Sequence, residues 1–278
     1  MWTGPNITNE TLVAELVDYW LTQLRTEGRL EDTTINEYER VLRKLVVPEL
    51  GDLRLGELTA DSMDIYLDGL RGLSVNRRRK AKVVTGAMLD VAVGLGAIET
   101  NPVRGTASAV RPRTEVRRLT RHEVDSVRAT VRGWRASDRP GPKATPDMGD
   151  LVDLMLATGT RIGEVLALRW TDVDLDAARP TLIVNGTIKT EPGKGTYRKP
   201  IEGTRTVTLP EFAVAVLRRR RTEARDDRLD AIFPTRNGTW QQVNNVERRW
   251  RLIRKEAGLE WVTPDAFRNV LGNDVEPG

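Results

Sequence analysis

Apolar residues recur at helical spacing through most of the first hundred residues of this 278-residue chain. The first segment carries them at Leu12, Val13, Leu16, Val17, Trp20, Leu21 and Leu24, which is the spacing of one helix face. Three further segments repeat this period. The residues that can cap the first, third and fourth helices are Asn9, Thr59 and Ser74, and the second helix is expected to follow Asp32. A break in the second segment is expected near Pro48 and Gly51. Four helices with short connections predict a small bundle.

Helical periods return in the second half of the chain. Thr120 and Glu123 have the spacing of a capping box at the start of a helix. Residues 150–167 predict a pair of helices interrupted at Gly159, and two further helices are expected at 211–227 and 243–258.

Strand patterns lie between these helices. Residues 181–184 and 205–210 are rich in β-branched residues and predict strands. The intervening Gly- and Lys-rich stretch, GTIKTEPGKGTYRKPIEG, predicts long hairpin loops. The chain is therefore expected to be mainly α with a small β-sheet. Its parts are a helical domain over 1–103, a basic linker over 104–118 and an α+β domain over 119–278.

Composition excludes several kinds of site. The chain has no cysteine and one histidine, His122, so no thiolate or multi-histidine metal site is expected, and we predict no metal and no cofactor. His122 is expected to be a surface helix residue. No run of about eighteen apolar residues and no signal-peptide pattern is present, so neither a membrane span nor export is expected. These features favour a cytoplasmic protein.

The charges are unevenly distributed. Residues 1–70 hold 6 basic and 14 acidic side chains, a net of −8, whereas residues 71–121 hold 12 basic and 3 acidic, a net of +9. Cations are disfavoured at a helix N-terminus, yet they crowd the start of the fourth helix and continue into the linker. The residues concerned are Arg77, Arg78, Arg79, Lys80, Lys82, Arg111, Arg113, Arg117 and Arg118. This pattern predicts contacts with duplex DNA, and a solvated basic helix face is the alternative interpretation.

Two motifs resemble a known family. The stretch LMLATGTRIGEVLALRWTDVDLD (154–176) resembles the first catalytic-arginine motif of the tyrosine recombinases, the phage integrase family. The stretch FPTRNGTWQQVNNVERRWRLIRKEAGLEWVTPDAFR (233–268) resembles the family's approach to its second arginine. The N-terminal bundle, which closes on AIETNP (97–102), resembles the SAM-like core DNA-binding domain of actinobacterial phage integrases. The resemblance covers about residues 8–268.

The resemblance implies a phosphoryl-transfer site without a metal. In the family a tyrosine attacks a DNA phosphodiester, two arginines clamp the phosphate, and a hairpin lysine protonates the leaving oxygen. Arg161 and Arg268 match the two arginines, and Glu164 matches a supporting acid of the first motif. Lys199 is the candidate for the lysine, with Lys194 and Lys189 as competitors.

Two departures from the family pattern argue against DNA cleavage. The family's histidine three residues before the second arginine is Asp265 here, and a carboxylate beside a phosphate adds repulsion. No tyrosine follows Arg268. The four tyrosines are Tyr19, Tyr38, Tyr66 and Tyr197. The first three are expected to pack in the helical domain, and Tyr197 is a poor candidate for the nucleophile. We therefore expect a C-terminally truncated or degenerate member that forms no covalent intermediate.

Three hypotheses follow. The first is a DNA-binding protein of the tyrosine recombinase family, associated with site-specific recombination and integration but unable to cleave DNA alone. The second is an active phage-type integrase represented by a truncated or altered chain. The third is a basic helical interaction module without a DNA role. Under the first, the partners are duplex DNA at inverted-repeat attachment-type sites and an intact integrase, with no membrane, and the protein is expected to be mainly monomeric off DNA.

Overall fold

The computed structural model describes residues 6–106, 117–136, 147–224 and 228–268. They fall into two compact units, one within residues 1–113 and the other within 114–278. Arg111 and Arg113, two of the basic linker residues, and the chain after Arg268 lie outside the described residues.

The first unit is helical. Its main elements are α1 (Val13–Glu27), α2 (Asp32–Val41), a π-helical turn (Leu42–Val46), α3 (Val47–Leu50), α4 (Ala60–Gly69), α5 (Val75–Gly94) and a 3-10 turn (Pro102–Gly105). Each long helix buries one apolar stripe, and the shared core includes Leu16, Leu42, Met63, Met88 and Leu89. The ring of Trp20 on α1 stacks on that of Tyr38 on α2, with centroids 5.8 Å apart.

The helix boundaries in this unit correct one prediction and agree with another. Asn9 does not cap α1: the cap residue is Leu12, whose N–H donates to the Glu15 carboxylate at 2.9 Å, while the Asn9 carbonyl accepts from Gly56. The second segment ends at Leu50, directly before Gly51, where the sequence predicts a break, and Pro48 lies in the first turn of α3, which follows the π-helical turn. The Thr59 cap on α4 is confirmed, since its hydroxyl accepts from the N–H of Ser62 at 3.1 Å.

The second unit combines helices with one small sheet. Its main helices are α6 (Arg121–Ala136), α7 (Asp147–Thr158), α8 (Ile162–Val165), α9 (Glu211–Glu223), α10 (Val243–Glu256) and a 3-10 turn (Pro264–Arg268). Its strands are β1 (Val173–Asp174), β2 (Thr181–Glu191) and β3 (Gly195–Thr208), antiparallel in the order β1-β2-β3. Apolar side chains from the helices and the sheet meet in one core that includes Leu154, Leu166, Leu182, Leu217 and Phe233. The predicted fold, mainly α with a small β-sheet, is confirmed.

The long loops predicted between residues 186 and 203 are wrong. These residues form most of a continuous hairpin, in which Gly186 pairs with Pro200 and Glu191 pairs with Gly195. Only the turn at 192–194 is outside the strands. The strand alternation is weak here because both faces carry polar side chains, and backbone pairing with the neighbouring strand supplies the order that the sequence pattern lacks.

A buried ionic cluster holds the start of α7 against α9. Arg220 donates to Asp147 and to Asp150, both at 2.9 Å, and to the carbonyl of Ile232 at 2.9 Å. Its guanidinium also lies 4.2 Å from the centre of the Phe233 ring. Burial raises the pKa of Asp150, although Arg220 and Arg219 oppose this shift. The cluster fixes the helix whose other end, at Thr158, leads into the site described next.

Candidate active site

The turn after α7 is closed by side-chain hydrogen bonds, and Thr158 and Thr160 within it are buried. Gly159 has φ +61°, a left-handed conformation that favours glycine. On either side of it, the hydroxyls of Thr158 and Thr160 lie 2.9 Å apart, and the Thr158 hydroxyl donates to the carbonyl of Leu154 at 2.6 Å. This turn leads directly into Arg161, which is the N-cap residue of α8.

Glu164 ties Arg161 to the start of α8. The Glu164 carboxylate accepts from the Arg161 backbone N–H at 3.0 Å and from its Nη1 at 3.2 Å. The same carboxylate accepts from Nη2 of Arg205 on β3 at 2.7 Å. Its side chain is only 5% exposed, whereas that of Arg161 is 62% exposed. The arrangement buries the acid and leaves the Arg161 guanidinium open to a ligand.

Glu164 keeps its negative charge although its side chain is buried. Burial alone would raise its pKa, but the hydrogen bonds from Arg205 and from the Arg161 backbone more than offset burial, so the pKa lies below its ordinary value. Glu164 is therefore ionised at neutral pH. One anion faces two guanidinium groups, so the cluster keeps a net positive charge.

Arg268, the last residue that the structure describes, contacts the same turn. Its Nε donates to the carbonyl of Gly159 at 3.0 Å. The short helix that carries it is held by Ala266 and Phe267, both buried, and the Phe267 ring meets that of Trp250 edge-on at 5.2 Å. Two arginines 107 positions apart in the chain thus meet at one turn, since Arg268 bonds to Gly159 and Arg161 follows two residues later.

Lys199 lies on the β-hairpin rung beside α8. It is paired across the hairpin with Thr187, and Thr187 packs so closely on Gly163 that a Cβ there would come 2.6 Å from its Oγ1. Lys194 is in the hairpin turn and pairs with Glu191 at 2.8 Å. Lys189 is opposite Tyr197, two residues nearer to that turn than Thr187. Of these three lysines, Lys199 is the one directly opposite Thr187, the residue that packs on Gly163 of α8.

Asp265 is exposed in the first turn of the short helix, three residues before Arg268. The structure therefore puts a carboxylate on the same element as the second arginine.

Tyr19, Tyr38 and Tyr66 belong to the first unit, and Tyr197 is on the hairpin of the second. Burial raises the pKa of Tyr66 to about 12, Tyr38 stacks on Trp20, and Tyr19 packs against the core of the first unit. Tyr197 donates to the Glu191 carboxylate, and this hydrogen bond raises its pKa. A raised pKa makes a phenol harder to ionise, so neither Tyr66 nor Tyr197 is prepared as a nucleophile.

The basic residues at the start of α5 point in several directions. Lys80 forms an ion pair with Glu37 of α2, and the Lys82 amine donates to the Thr106 carbonyl at 3.4 Å. Arg78, Arg79 and Lys82 line a groove of about 1010 Å³ in the first unit, and Arg77 is exposed. A helix turns 100° per residue, so consecutive charges spread around it instead of forming one face.

Two of the basic linker residues predicted to contact DNA, Arg117 and Arg118, are described, and Arg117 is held by two side-chain contacts. It pairs with Glu123 at 2.6 Å and its guanidinium lies 4.0 Å from the centre of the Trp261 ring. Arg118 is exposed, as is His122 in the first turn of α6. The Thr120 capping box is confirmed, with the Thr120 N–H donating to Glu123 at 2.9 Å.

Within the described ranges, no three His, Cys, Asp or Glu side chains come together in a way that could hold a metal ion. No helix in the same ranges is long and apolar enough to cross a bilayer.

Family profiles match both units. The phage integrase family matches residues 117–275, and the phage integrase N-terminal SAM-like domain matches residues 12–70. The first match alone spans more than half of the chain. The chain belongs to the phage integrase family.

Individual relatives of this integrase-family chain are tyrosine recombinases. The XerC-like tyrosine recombinase of Caldanaerobacter subterraneus is 22% identical over 96% of this chain and 72% of its own length. The tyrosine recombinase XerC of Roseiflexus sp. is 27% identical over 75% of this chain and 62% of its own length. The sequence-based recognition of this family is confirmed.

Solved integrase structures share the fold. The Tn1549 transposon integrase, solved with a circular intermediate DNA, superposes with a TM-score of 0.75 at 19% identity, covering 93% of this chain and 84% of that one. A lambda integrase dimer bound to a COC′ core site superposes with a TM-score of 0.67 at 17% identity, covering 94% and 69%.

Arg205 is a site residue that is not among those predicted from the sequence. The signal was available, because Arg205, Val207 and Leu209 alternate with exposed threonines and face inward. A charged residue at an inward position of a strand predicts a buried partner of opposite charge. That partner is Glu164.

Proposed function

We propose that this chain binds double-stranded DNA and holds one backbone phosphate between Arg161 and Arg268. The observation that carries the proposal is the meeting of these two arginines at the turn 158–161, with Arg161 oriented by Glu164 and exposed. Guanidinium forks are suited to phosphate oxygens. The Tn1549 and lambda integrases of the same fold were solved with DNA, which supports the same ligand class here.

The roles of the remaining site residues follow from the chemistry of the family. A tyrosine oxygen forms a bond to phosphorus while the bond to the 5′ oxygen breaks, and the departing oxygen takes a proton. Lys199 is our candidate for the proton donor. Arg161 and Arg268 stabilise the charge that builds on the phosphate. Glu164 supports Arg161, and Asp265 replaces the family's histidine with a group that repels the phosphate.

We further propose that these 278 residues do not cleave DNA by themselves. Their tyrosines are held in packing or hydrogen bonds, with pKa values that are raised at Tyr66 and Tyr197. A nicked suicide substrate, which traps a covalent intermediate, tests this. We expect no protein–DNA adduct that survives detergent. An adduct would contradict the proposal and favour the active phage-type integrase instead, an alternative supported by the retention of Arg161, Lys199 and Arg268.

Duplex binding tests the function itself. Fluorescence anisotropy with labelled duplexes, including inverted-repeat attachment-type sites, is expected to show binding that the Arg161→Ala/Arg268→Ala double variant weakens, with circular dichroism confirming that the variant is folded at the temperature of the assay. Loss of two guanidinium contacts should lower affinity about tenfold or more. Absence of binding to every duplex would favour a basic interaction module without a DNA role.

The remaining DNA contacts, the protein partner and the oligomeric state are further proposals. The basic residues of α5 and of the linker are proposed to contact DNA phosphates, and an intact integrase is a candidate partner at shared sites. A mainly monomeric state without DNA stays a prediction. Light scattering checks it, and a stable tetramer off DNA would show that the prediction is wrong.

A further inference from the structure

Arg205 is a charged side chain in the inward register of β3. Its neighbours on that face are the apolar Val207 and Leu209, and its side chain is only 37% exposed. Holding a long cation in this position costs side-chain entropy and hydration. Its contact with Glu164, at 2.7 Å, is the interaction that compensates for this cost.

The Glu164 carboxylate divides its bonds between two arginines. Oε1 accepts from Nη1 of Arg161, while Oε2 accepts from the Arg161 backbone N–H and from Nη2 of Arg205. A bond to a second, fixed donor limits rotation of the carboxylate about its last torsion. With Arg205 in place, Oε1 is presented to Arg161 in one orientation.

The strand that carries Arg205 is itself anchored. Arg205 pairs across the hairpin with Val184, which is fully buried, so strand pairing anchors its backbone to the core. The line of contacts therefore runs from a buried strand, through Arg205 and Glu164, to an arginine that is 62% exposed.

We propose that Arg205 is a positioning residue for Arg161: by fixing the Glu164 carboxylate, it orients the Arg161 guanidinium toward a DNA phosphate. This inference rests on the proposed function. It assigns Arg205 an indirect role and no contact with the phosphate.

A double-variant cycle separates the indirect role from a direct one. The logarithm of duplex affinity falls linearly with the logarithm of salt concentration, and each lost phosphate contact reduces the slope by about one unit. We expect Arg161→Ala and Arg205→Met each to reduce the slope by about one. The double variant is expected to match Arg161→Ala, because Arg205 acts only through Arg161.

Each other outcome of the cycle overturns the inference. An unchanged slope in Arg205→Met would mean that Arg205 does not affect the phosphate contact. A double variant that loses about two units would mean that Arg205 contacts DNA directly. Thr206→Ala is the control on the same strand, since Thr206 is exposed on the opposite face, and it should retain the wild-type slope.

A conservative variant, Arg205→Lys, keeps the inference testable if Arg205→Met does not fold. Arg205→Lys keeps the positive charge without the planar fork. We expect it to melt like the wild type and to reduce the slope by less than Arg205→Met does, again only when Arg161 is present. If Arg205→Met does not fold, an Arg205→Lys slope change that persists in the Arg161→Ala background contradicts the inference.

A measurement without DNA separates this inference from the proposed function. NMR of the full chain follows the Glu164 side-chain carboxyl carbon during a pH titration and the guanidinium nitrogens of Arg161. In Arg205→Met the Glu164 pKa is expected to rise, because burial then lacks its main opposing contact, and the Arg161 nitrogen signals should move. If neither changes, the inference is wrong even where the wild type binds DNA. If both change and no duplex is bound, the proposed function alone fails.

Discussion

Glu164 is the residue on which the charge balance of the site depends. It is nearly buried and accepts from two arginines, so replacing it with a neutral group leaves those cations without their counter-ion. The side chains of its partners are part-exposed, 62% for Arg161 and 37% for Arg205, so solvent screens both ion pairs. We therefore expect Glu164→Gln to lower the free energy of unfolding by about 1 kcal/mol at pH 7, measured by urea denaturation.

The pH dependence of this loss is the sharper test. The folded-state pKa of Glu164 lies below its ordinary value, so its contribution is fully present above about pH 4.3, the ordinary glutamate pKa. It is lost as pH falls through the lowered folded-state pKa. The gap between wild type and Glu164→Gln should therefore shrink as pH falls below about 4.3. A gap that stays constant across this range would show that the charge is not responsible.

At this scale the sequence identifies some site residues and misses another. Arg161, Glu164 and Arg268 stand in motifs whose spacing resembles the family, so the sequence alone is enough to name them. The alternation of β3 indicates that Arg205 faces inward, but it does not identify Glu164 as the partner, because the two are 41 residues apart and only the folding of the hairpin onto α8 brings them together. Non-local contacts of this kind leave no local spacing in the sequence.

At the scale of elements, the contact of α8 with the hairpin sets where Lys199 lies. A Cβ at Gly163 would come 2.6 Å from Oγ1 of Thr187, so Gly163→Ala should force α8 and β2 apart. We expect a loss of about 1 to 3 kcal/mol, the usual cost of overpacking. Thermal or urea unfolding measures it.

A second substitution provides the control. Thr187→Ala removes the colliding hydroxyl, and the next atoms around a Cβ at position 163 belong to Ile188 at 3.7 and 3.8 Å, an ordinary contact distance. The double variant Gly163→Ala/Thr187→Ala should recover most of the lost stability. If the two losses simply add, the close approach does not limit the packing of α8 on the hairpin.

The cluster at the start of α7 makes a further prediction. Arg220 is 12% exposed and bonds the part-buried Asp147 and the buried Asp150, so Arg220→Met removes their shared cation and leaves Asp150 with Arg219 and Asp147 with Gln241. We expect a loss of about 3 kcal/mol in unfolding free energy. Arg221→Met, one residue further on the exposed face of α9, should stay within about 0.5 kcal/mol of wild type. Equal effects in the two variants would contradict a role for the cluster.

The elements also show where sequence patterns are informative. The helices of both units are predictable because their apolar positions repeat over ten or more residues, as in α1 and α5. The hairpin is not, because Thr187, Lys189, Tyr197 and Lys199 are polar or amphipathic residues on a half-exposed ribbon. Its order comes from strand pairing, which a pattern of single residues does not encode.

At the scale of the whole molecule, the uneven distribution of charge along the chain determines how the affinity for DNA should depend on salt concentration. Residues 71–121 carry a net of +9 in a chain whose total is only +4. If this region and the arginine site together neutralise about six phosphates, affinity should fall about a thousandfold between roughly 50 and 200 mM salt. Anisotropy titrations at several salt concentrations measure the slope. Affinity that does not depend on salt would contradict phosphate recognition.

The central claim is that Arg161 and Arg268 together hold a DNA phosphate without a nucleophile beside it. A crystal structure of this chain bound to duplex DNA tests the claim most directly. The result we predict is one backbone phosphate within hydrogen-bonding distance of both guanidinium groups, with Lys199 next to it and every phosphodiester intact. A duplex bound elsewhere with the turn at 158–161 empty, or a phosphate covalently joined to a tyrosine of this chain, would contradict it.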